Sequence, residues 1–231
     1  MKEKYQNKYR IASHRMPEWD YSGNGVYFIT LVTQNRECNL GVIENNKMNL
    51  SGFGKIVEGE WLKSFEIRHE LYLDEYIIMP NHLHAIVILD KTENKRFIDL
   101  HDTFYGIYSA GTHGTHGTHD THVETHGRAS LPSSQSSSQP PKLNRKSQSI
   151  SSFVAGFKSA VNAKIDDFID ENNLDIPKYN RNNHFFQPNY HDHIIRNYSS
   201  YKRIKKYIIS NPFKWDNDRF RPDKYPISEG I

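Results

Sequence analysis

Two histidines one residue apart, His82 and His84, open the apolar run HLHAIVIL. In a strand, alternate side chains point to opposite faces. The two imidazoles then share one face, and Leu83, Ala85 and Val87 take the other. Their backbones lie about 6–7 Å apart, from a strand rise of about 3.3 Å per residue. Side-chain rotation can bring one nitrogen of each to within roughly 2.0–2.2 Å of a shared metal ion. Two protein ligands leave coordination positions open, as a metal acting on substrate oxygens requires. Taken alone, the pair is better explained as two histidines at turn and edge positions, hydrogen-bonded to the backbone.

A second set of reactive groups lies near the C-terminus, in SSYKRIKKYIISNP. Tyr207 and Asn211 are four residues apart and share a helix face. Lys202, Arg203, Lys205 and Lys206 precede Tyr207 closely. Positive charge favours a phenolate over a phenol, and it can also hold a nucleic-acid backbone. A tyrosine beside a metal-polarised phosphodiester is a potential covalent nucleophile. Alone, Tyr207 reads more simply as a core aromatic, and Asn211 as a helix-ending residue before Pro212. His191 and His193, in YHDHIIRN, form a rival histidine pair with Asp192 between them. Tyr190, Tyr198 and Tyr201 are rival nucleophiles, although Tyr201 faces elsewhere on the helix.

These groups need elements to hold them. VYFITLVT, residues 26–33, reads as a strand after the turn-like SGNG. GVIENNKMNL reads as a hairpin turning at Asn45-Asn46. Ser51 is an N-cap for a helix whose apolar residues Phe53, Val57, Trp61 and Phe65 recur at helical spacing. LYLDEYIIM and HLHAIVIL read as two strands joined tightly through Pro80-Asn81. Ile150, Phe153, Val154, Phe157, Val161, Ile165, Phe168 and Ile169 mark one face of a long helix. HFFQPNYHDHIIRN reads as extended. A last short helix follows, capped by Ser199 or Ser200 and stopped at Asn211-Pro212. The order suits an α+β fold of the ferredoxin-like type, one antiparallel sheet with helices packed on it.

Between about Asp90 and Ser149 the texture changes. GTHGTHGTHDTHVETHG and SLPSSQSSSQPPK have no apolar periodicity and cannot offset the entropy of ordering themselves. The stretch reads as a disordered insertion within a single domain spanning 20–215, with an arm at 1–19 and a tail at 216–231. His113, His116, His119, His122 and His126 of the repeat could chelate borderline metals, but a slippage repeat explains them more simply. The chain has 231 residues, a formal net charge of +3 and one cysteine, Cys38. Intramolecular disulfides and cysteine-based zinc sites are therefore excluded. No apolar run has the length of a membrane span, and MKEKYQNKYR has no signal-peptide core. A cytoplasmic setting without membrane partners is expected.

Pro80-Asn81-His82-Leu83-His84 with the apolar residues after it resembles the histidine–hydrophobe–histidine (HUH) motif of single-strand endonucleases. YHDHIIRN with YKRIKKYIISNP resembles the end of the single-tyrosine transposases, above all the REP-associated tyrosine transposase group. YSGNGVYFITLVTQNRECNLG and LYLDEYIIMPNHLH resemble that group's N-terminal half. The resemblance runs from Asp20 to Trp215, interrupted by the insertion. It implies that His82, His84 and Asn211 bind Mg2+ or Mn2+, and that Tyr207 attacks a phosphate in single-stranded DNA. A free 3′-hydroxyl and a 5′-phosphotyrosine would result, and a second 3′-hydroxyl would reverse the attack to join new ends. Lys202, Arg203, Lys205, Lys206, Arg196 and His193 would contact the DNA, a single strand bearing hairpin or palindromic repeats. The protein would act as a monomer or a homodimer. Replication initiators and relaxases share this chemistry. The non-enzymatic alternative is a sheet that binds single strands by stacking alone.

Overall fold

The hydrophobic period changes along the chain from two to 3.6 and back, and the elements follow it. The computed structural model describes residues 19–92, 146–180 and 182–222, with a short antiparallel pair, β1 (Lys4–Tyr5) and β2 (Lys8–Tyr9), ahead of them. The expected insertion falls largely on residues 93–145, outside the described residues, as do the repeat histidines.

The first long strand, β3 (Gly25–Val32), is followed by a hairpin of β4 (Gly41–Glu44) and β5 (Lys47–Leu50). Asn45 and Asn46 turn this hairpin with φ of 50° and 60°. Two left-handed residues make the tight turn whose twist matches the flanking strands. Helix α1 (Gly52–Glu66) starts where Ser51 accepts a hydrogen bond from the Gly54 N–H. Strands β6 (Leu71–Met79) and β7 (His82–Leu89) form the hairpin through Pro80-Asn81, pairing Met79 with His82. Helix α2 (Ile150–Glu171) opens with a reciprocal cap between Ser149 and Ser152. β8 (His191–Ile194) and α3 (Tyr198–Ser210) complete the set.

The main sheet has the order β6-β7-β3-β8, and every neighbouring pair is antiparallel. Each β-helix-β unit thus skips a place that the other unit's strand fills, which is the ferredoxin-like arrangement. α1 and α2 cover one face, where Trp61 meets Phe153 and Phe157 at ring separations of 5.3 and 5.0 Å. α3 covers the opposite face, seating Tyr201 and Ile208 on Val26, Ile86 and Ile88. β7 is therefore roofed on both sides, and all eight of its residues are buried. Strands covered on both faces read as continuous apolar runs, and HLHAIVIL is one apart from its histidines.

One local expectation is corrected. α3 is capped by Asn197, whose side-chain oxygen accepts from the Ser200 N–H at 2.8 Å. Ser199 and Ser200 lie inside the first turn instead. At its other end the helix stops at Ser210, ahead of Asn211-Pro212 as expected. Proline lacks the N–H that an opening turn would leave unpaired anyway, and a 3-10 turn runs from Pro212 to Asn217. Residues 218–222 then lie back over the sheet, burying Phe220.

Candidate metal and nucleophile site

Strand alternation places His82 and His84 in phase with Ile86 and Ile88, on the face that α3 covers. Both imidazoles are fully buried, with ring centroids 4.5 Å apart. A buried imidazole must account for two ring nitrogens, and the surroundings do so in a definite way.

Asn81 sets the state of His82. Its amide nitrogen donates to the carbonyls of Arg36 at 3.0 Å and Phe220 at 2.7 Å. Both amide protons are thereby used, so its side-chain oxygen can only accept. That oxygen lies 2.8 Å from Nδ1 of His82. Nδ1 therefore carries the proton, and Nε2 presents a lone pair. This Nε2 is buried and has no hydrogen-bond partner. An unsatisfied acceptor in the interior is costly, and a cation is a natural partner for it. His84 is held by its cross-strand neighbour Thr30, whose hydroxyl oxygen is 2.7 Å from Nδ1. Nε2 of His84 lies 3.1 Å from the hydroxyl of Tyr207.

The remaining groups come from the C-terminal end. Asn211, the C-cap of α3, is buried one turn beyond Tyr207, and neither atom of its amide makes a directed hydrogen bond. Asp218 follows the 3-10 turn. Its carboxylate and the two imidazoles each offer a ligand atom, all within 4.8 Å of one another. Two imidazoles, a carboxylate and an amide form a plausible ligand set for a divalent ion. The orphaned Nε2 of His82 fits such an ion.

The electrostatics keep both imidazoles neutral. Burial, then the charges of His84 and Arg219, hold His82 well below the usual imidazole pKa. Burial, Arg219 and His191 push His84 down to about 3. Neutral imidazoles are the form that binds metals. Burial raises the pKa of Asp218, against the pull of the Phe220 N–H and of Arg219, Arg36 and Asn211.

Tyr207 departs from expectation. Its lysine and arginine neighbours in sequence were expected to favour the phenolate. Its pKa is instead raised, by burial first and by Asp218 second, with Asn211 and Arg219 opposing. The reason is direction. Lys202, Arg203 and Lys206 are exposed, and Lys205 is held by Asp74 at 2.9 Å. Tyr207 points inward to Phe28 and His84.

The other candidates fall into place around this centre. Tyr201 turns to Asp74, and exposed Tyr198 stacks on Tyr201 at 5.8 Å. His191 and His193 pair with Thr30 and Phe28 across β3, so they share the face of His82 and His84, but on the exposed edge strand β8. Arg196 lies over the Trp19 ring at 5.8 Å. Ile209 of α3 and Phe213 of the following 3-10 turn are exposed. Asp218, Thr30 and the supporting role of Asn81 were not foreseen from sequence. Asp218 lies in the polar tail, where no periodicity marks it. Thr30 is legible only once the strand register is known.

No family model matches the chain. It is 28% identical over 224 residues to an uncharacterized protein of Haemophilus influenzae, which covers 94% of this chain and 98% of that protein. A solved structure of a REP-associated tyrosine transposase bound to a REP hairpin matches over 89% of this chain and 74% of its own, at 16% identity and a TM-score of 0.47.

Proposed function

We propose that the protein is a metal-dependent single-strand DNA transposase that cleaves and rejoins DNA through a 5′-phosphotyrosine on Tyr207. The observation that carries the reading is the 3.1 Å approach of the Tyr207 hydroxyl to Nε2 of His84. It puts a nucleophile of suitable type against a pair of neutral, pre-oriented imidazoles. His82, His84, Asp218 and Asn211 would hold the ion, and two imidazoles in the set suit manganese better than magnesium. A divalent ion there would supply positive charge to the non-bridging oxygens of a phosphodiester.

The residues of the chain do the rest. α3 and the sheet hold the Tyr207 oxygen in a fixed place for in-line attack, which lowers the entropic part of the barrier. The new bond joins that oxygen to phosphorus, the bond from phosphorus to the 3′ oxygen breaks, and overall the phenolic proton ends on the released 3′-hydroxyl. One phosphodiester replaces another, so no nucleotide cofactor is needed. Attack by a second 3′-hydroxyl restores Tyr207. The raised pKa keeps the phenol protonated at neutral pH, so its proton leaves only as the bond to phosphorus forms. Exposed Lys202, Arg203, Lys206, Arg196 and His193 would follow the strand's phosphates, while Phe213 offers a face for an unpaired base.

The test is incubation with a single-stranded hairpin oligonucleotide and manganese, followed by a denaturing gel. Wild type should yield a covalent protein–DNA adduct that a chelator prevents, and Tyr207→Phe should yield none. Equal cleavage by both proteins without an adduct refutes the reading. Binding without any cleavage would instead support a stacking module.

A further inference from the structure

Asp74, Lys205 and Tyr201 form a polar cluster between β6 and α3 that takes no part in the chemistry above. β6 pairs regularly with β7 up to Leu73 opposite Val87, and pairing resumes with Glu75 opposite Ile86. Asp74 sits at a bulge, in phase with Tyr72 on the α3 face, and the extra residue brings Glu75, in phase with Ile77, to that same face. Two successive carboxylates therefore point toward α3. Oδ1 of Asp74 accepts from Nζ of Lys205 at 2.9 Å and from the Tyr201 hydroxyl at 3.1 Å, and Oδ2 lies 3.0 Å from the same hydroxyl. Lys205 also reaches the Tyr201 oxygen at 3.2 Å and Glu75 at 3.8 Å.

Tyr201 and Lys205 are one turn apart, so one carboxylate grips two points on the same helix face. The Asp74 side chain is 11% exposed, which strengthens the contact relative to a surface pair. Burial opposes the charge of Lys205, but its bonds to Asp74 and Tyr201 outweigh that and raise its pKa. Burial, and the charge of Asp74, push Tyr201 up to about 12. Both groups stay donors at neutral pH.

Ile204 and Ile208 also seat α3 on the sheet, in an apolar cluster with Ile86, Ile88, Tyr72 and Ile77, and Tyr207 itself meets His84. Apolar burial is non-directional and tolerates small slides. Hydrogen bonds with fixed geometry do not. Tyr207 lies two residues beyond Lys205 and must bring its oxygen to His84.

We infer that Asp74 is a positioning residue, whose carboxylate fixes the axial and rotational setting of α3 and so the approach of Tyr207 to the histidine pair. The catalytic half of this inference rests on Tyr207 being the nucleophile. A displacement of about 1 Å at a reacting group can cost on the order of 100-fold in rate.

The experiment uses the full-length protein and Asp74→Asn, which keeps the side-chain shape. Adduct formation on the hairpin oligonucleotide is measured with manganese, together with hydrogen exchange of the free protein. Asp74→Asn should lower kcat by about 10- to 100-fold and leave KM within about twofold. Amides of α3 should exchange about tenfold faster, while those of β3 and β7 keep their protection. Tyr201→Phe, which removes one of the two grips, should show the same pattern more weakly. Wild-type kcat with unchanged α3 exchange overturns the inference, and so does faster exchange throughout the sheet. If wild type forms no adduct, the Tyr207 reading fails, and the exchange comparison still decides whether Asp74 sets α3.

Discussion

The chain carries two His-x-His pairs on the same face of one sheet, and they have different fates. His82 and His84 sit on β7, a strand with neighbours on both sides and helices on both faces. His191 and His193 sit on β8, at the sheet edge, and are exposed. Around the first pair every group is assigned: Asn81 fixes one ring, Thr30 fixes the other, and Tyr207, Asn211 and Asp218 close in from the C-terminal end. The second pair has no such roof. A histidine motif becomes a candidate metal site through the groups that orient its rings and exclude water, far more than through its spacing.

The largest test of that contrast removes the rings of the first pair one at a time. His84→Ala should reduce adduct formation by at least about 100-fold, as expected when a preorganised electrostatic group is lost. His82→Ala should do the same, and both should abolish manganese binding measured by calorimetry. Next in size is Asn81→Ala, which keeps both histidines but frees His82 to turn. Metal affinity should fall by about 10- to 100-fold, the usual effect of deleting a group that orients a ligand. Stability should also drop by about 1–3 kcal/mol, because the Arg36 and Phe220 carbonyls lose their buried donor. A melt and a manganese titration on the same sample separate the two effects. If Asn81→Ala binds manganese like wild type, orientation does not distinguish the pairs.

Much of this was legible in sequence. Alternation in HLHAIVIL placed the histidines on one face, and the i, i+4 spacing placed Tyr207 and Asn211 together. Helix periodicity located α1 and α2, because apolar spacing is the direct imprint of a buried face. What stayed hidden depends on contacts between distant residues. Asp218 enters the site because the 3-10 turn from Pro212 sends the chain back across the sheet, and nothing local in DNDRF signals it. The raised pKa of Tyr207 was missed for a related reason. Sequence neighbours of opposite helix faces do not share an environment, so the lysines around Tyr207 do not reach its oxygen.

Burial of the first pair also sets a pH dependence. Because His84 titrates at about 3 in the folded state and near 6.5 when unfolded, the folded protein binds fewer protons between those values. Stability is then complete above about pH 6.5 and falls as the pH drops, by about 1.4 kcal/mol per pH unit for each such histidine. His82 shifts in the same direction. Urea midpoints of the metal-free protein should fall steadily from pH 7 to pH 5. In His84→Gln, the slope should flatten by roughly one proton. An unchanged slope would mean that His84 is not held neutral.

The smallest effects belong to the edge pair. His191 and His193 lie in line with His84 and Phe28 across the strands, so a DNA strand reaching Tyr207 from that edge would pass over them. They are exposed, and an exposed hydrogen bond to a phosphate contributes about 1 kcal/mol or less. His193→Ala should therefore weaken binding of a single-stranded oligonucleotide by about two- to threefold. Manganese affinity should not change in His193→Ala or in His191→Ala, because both rings are exposed on the edge strand, where water competes for the ion. Loss of manganese binding in either variant would shift the metal toward β8. The arrangement of His82, Asn81 and Tyr207 would then have to be explained as packing alone.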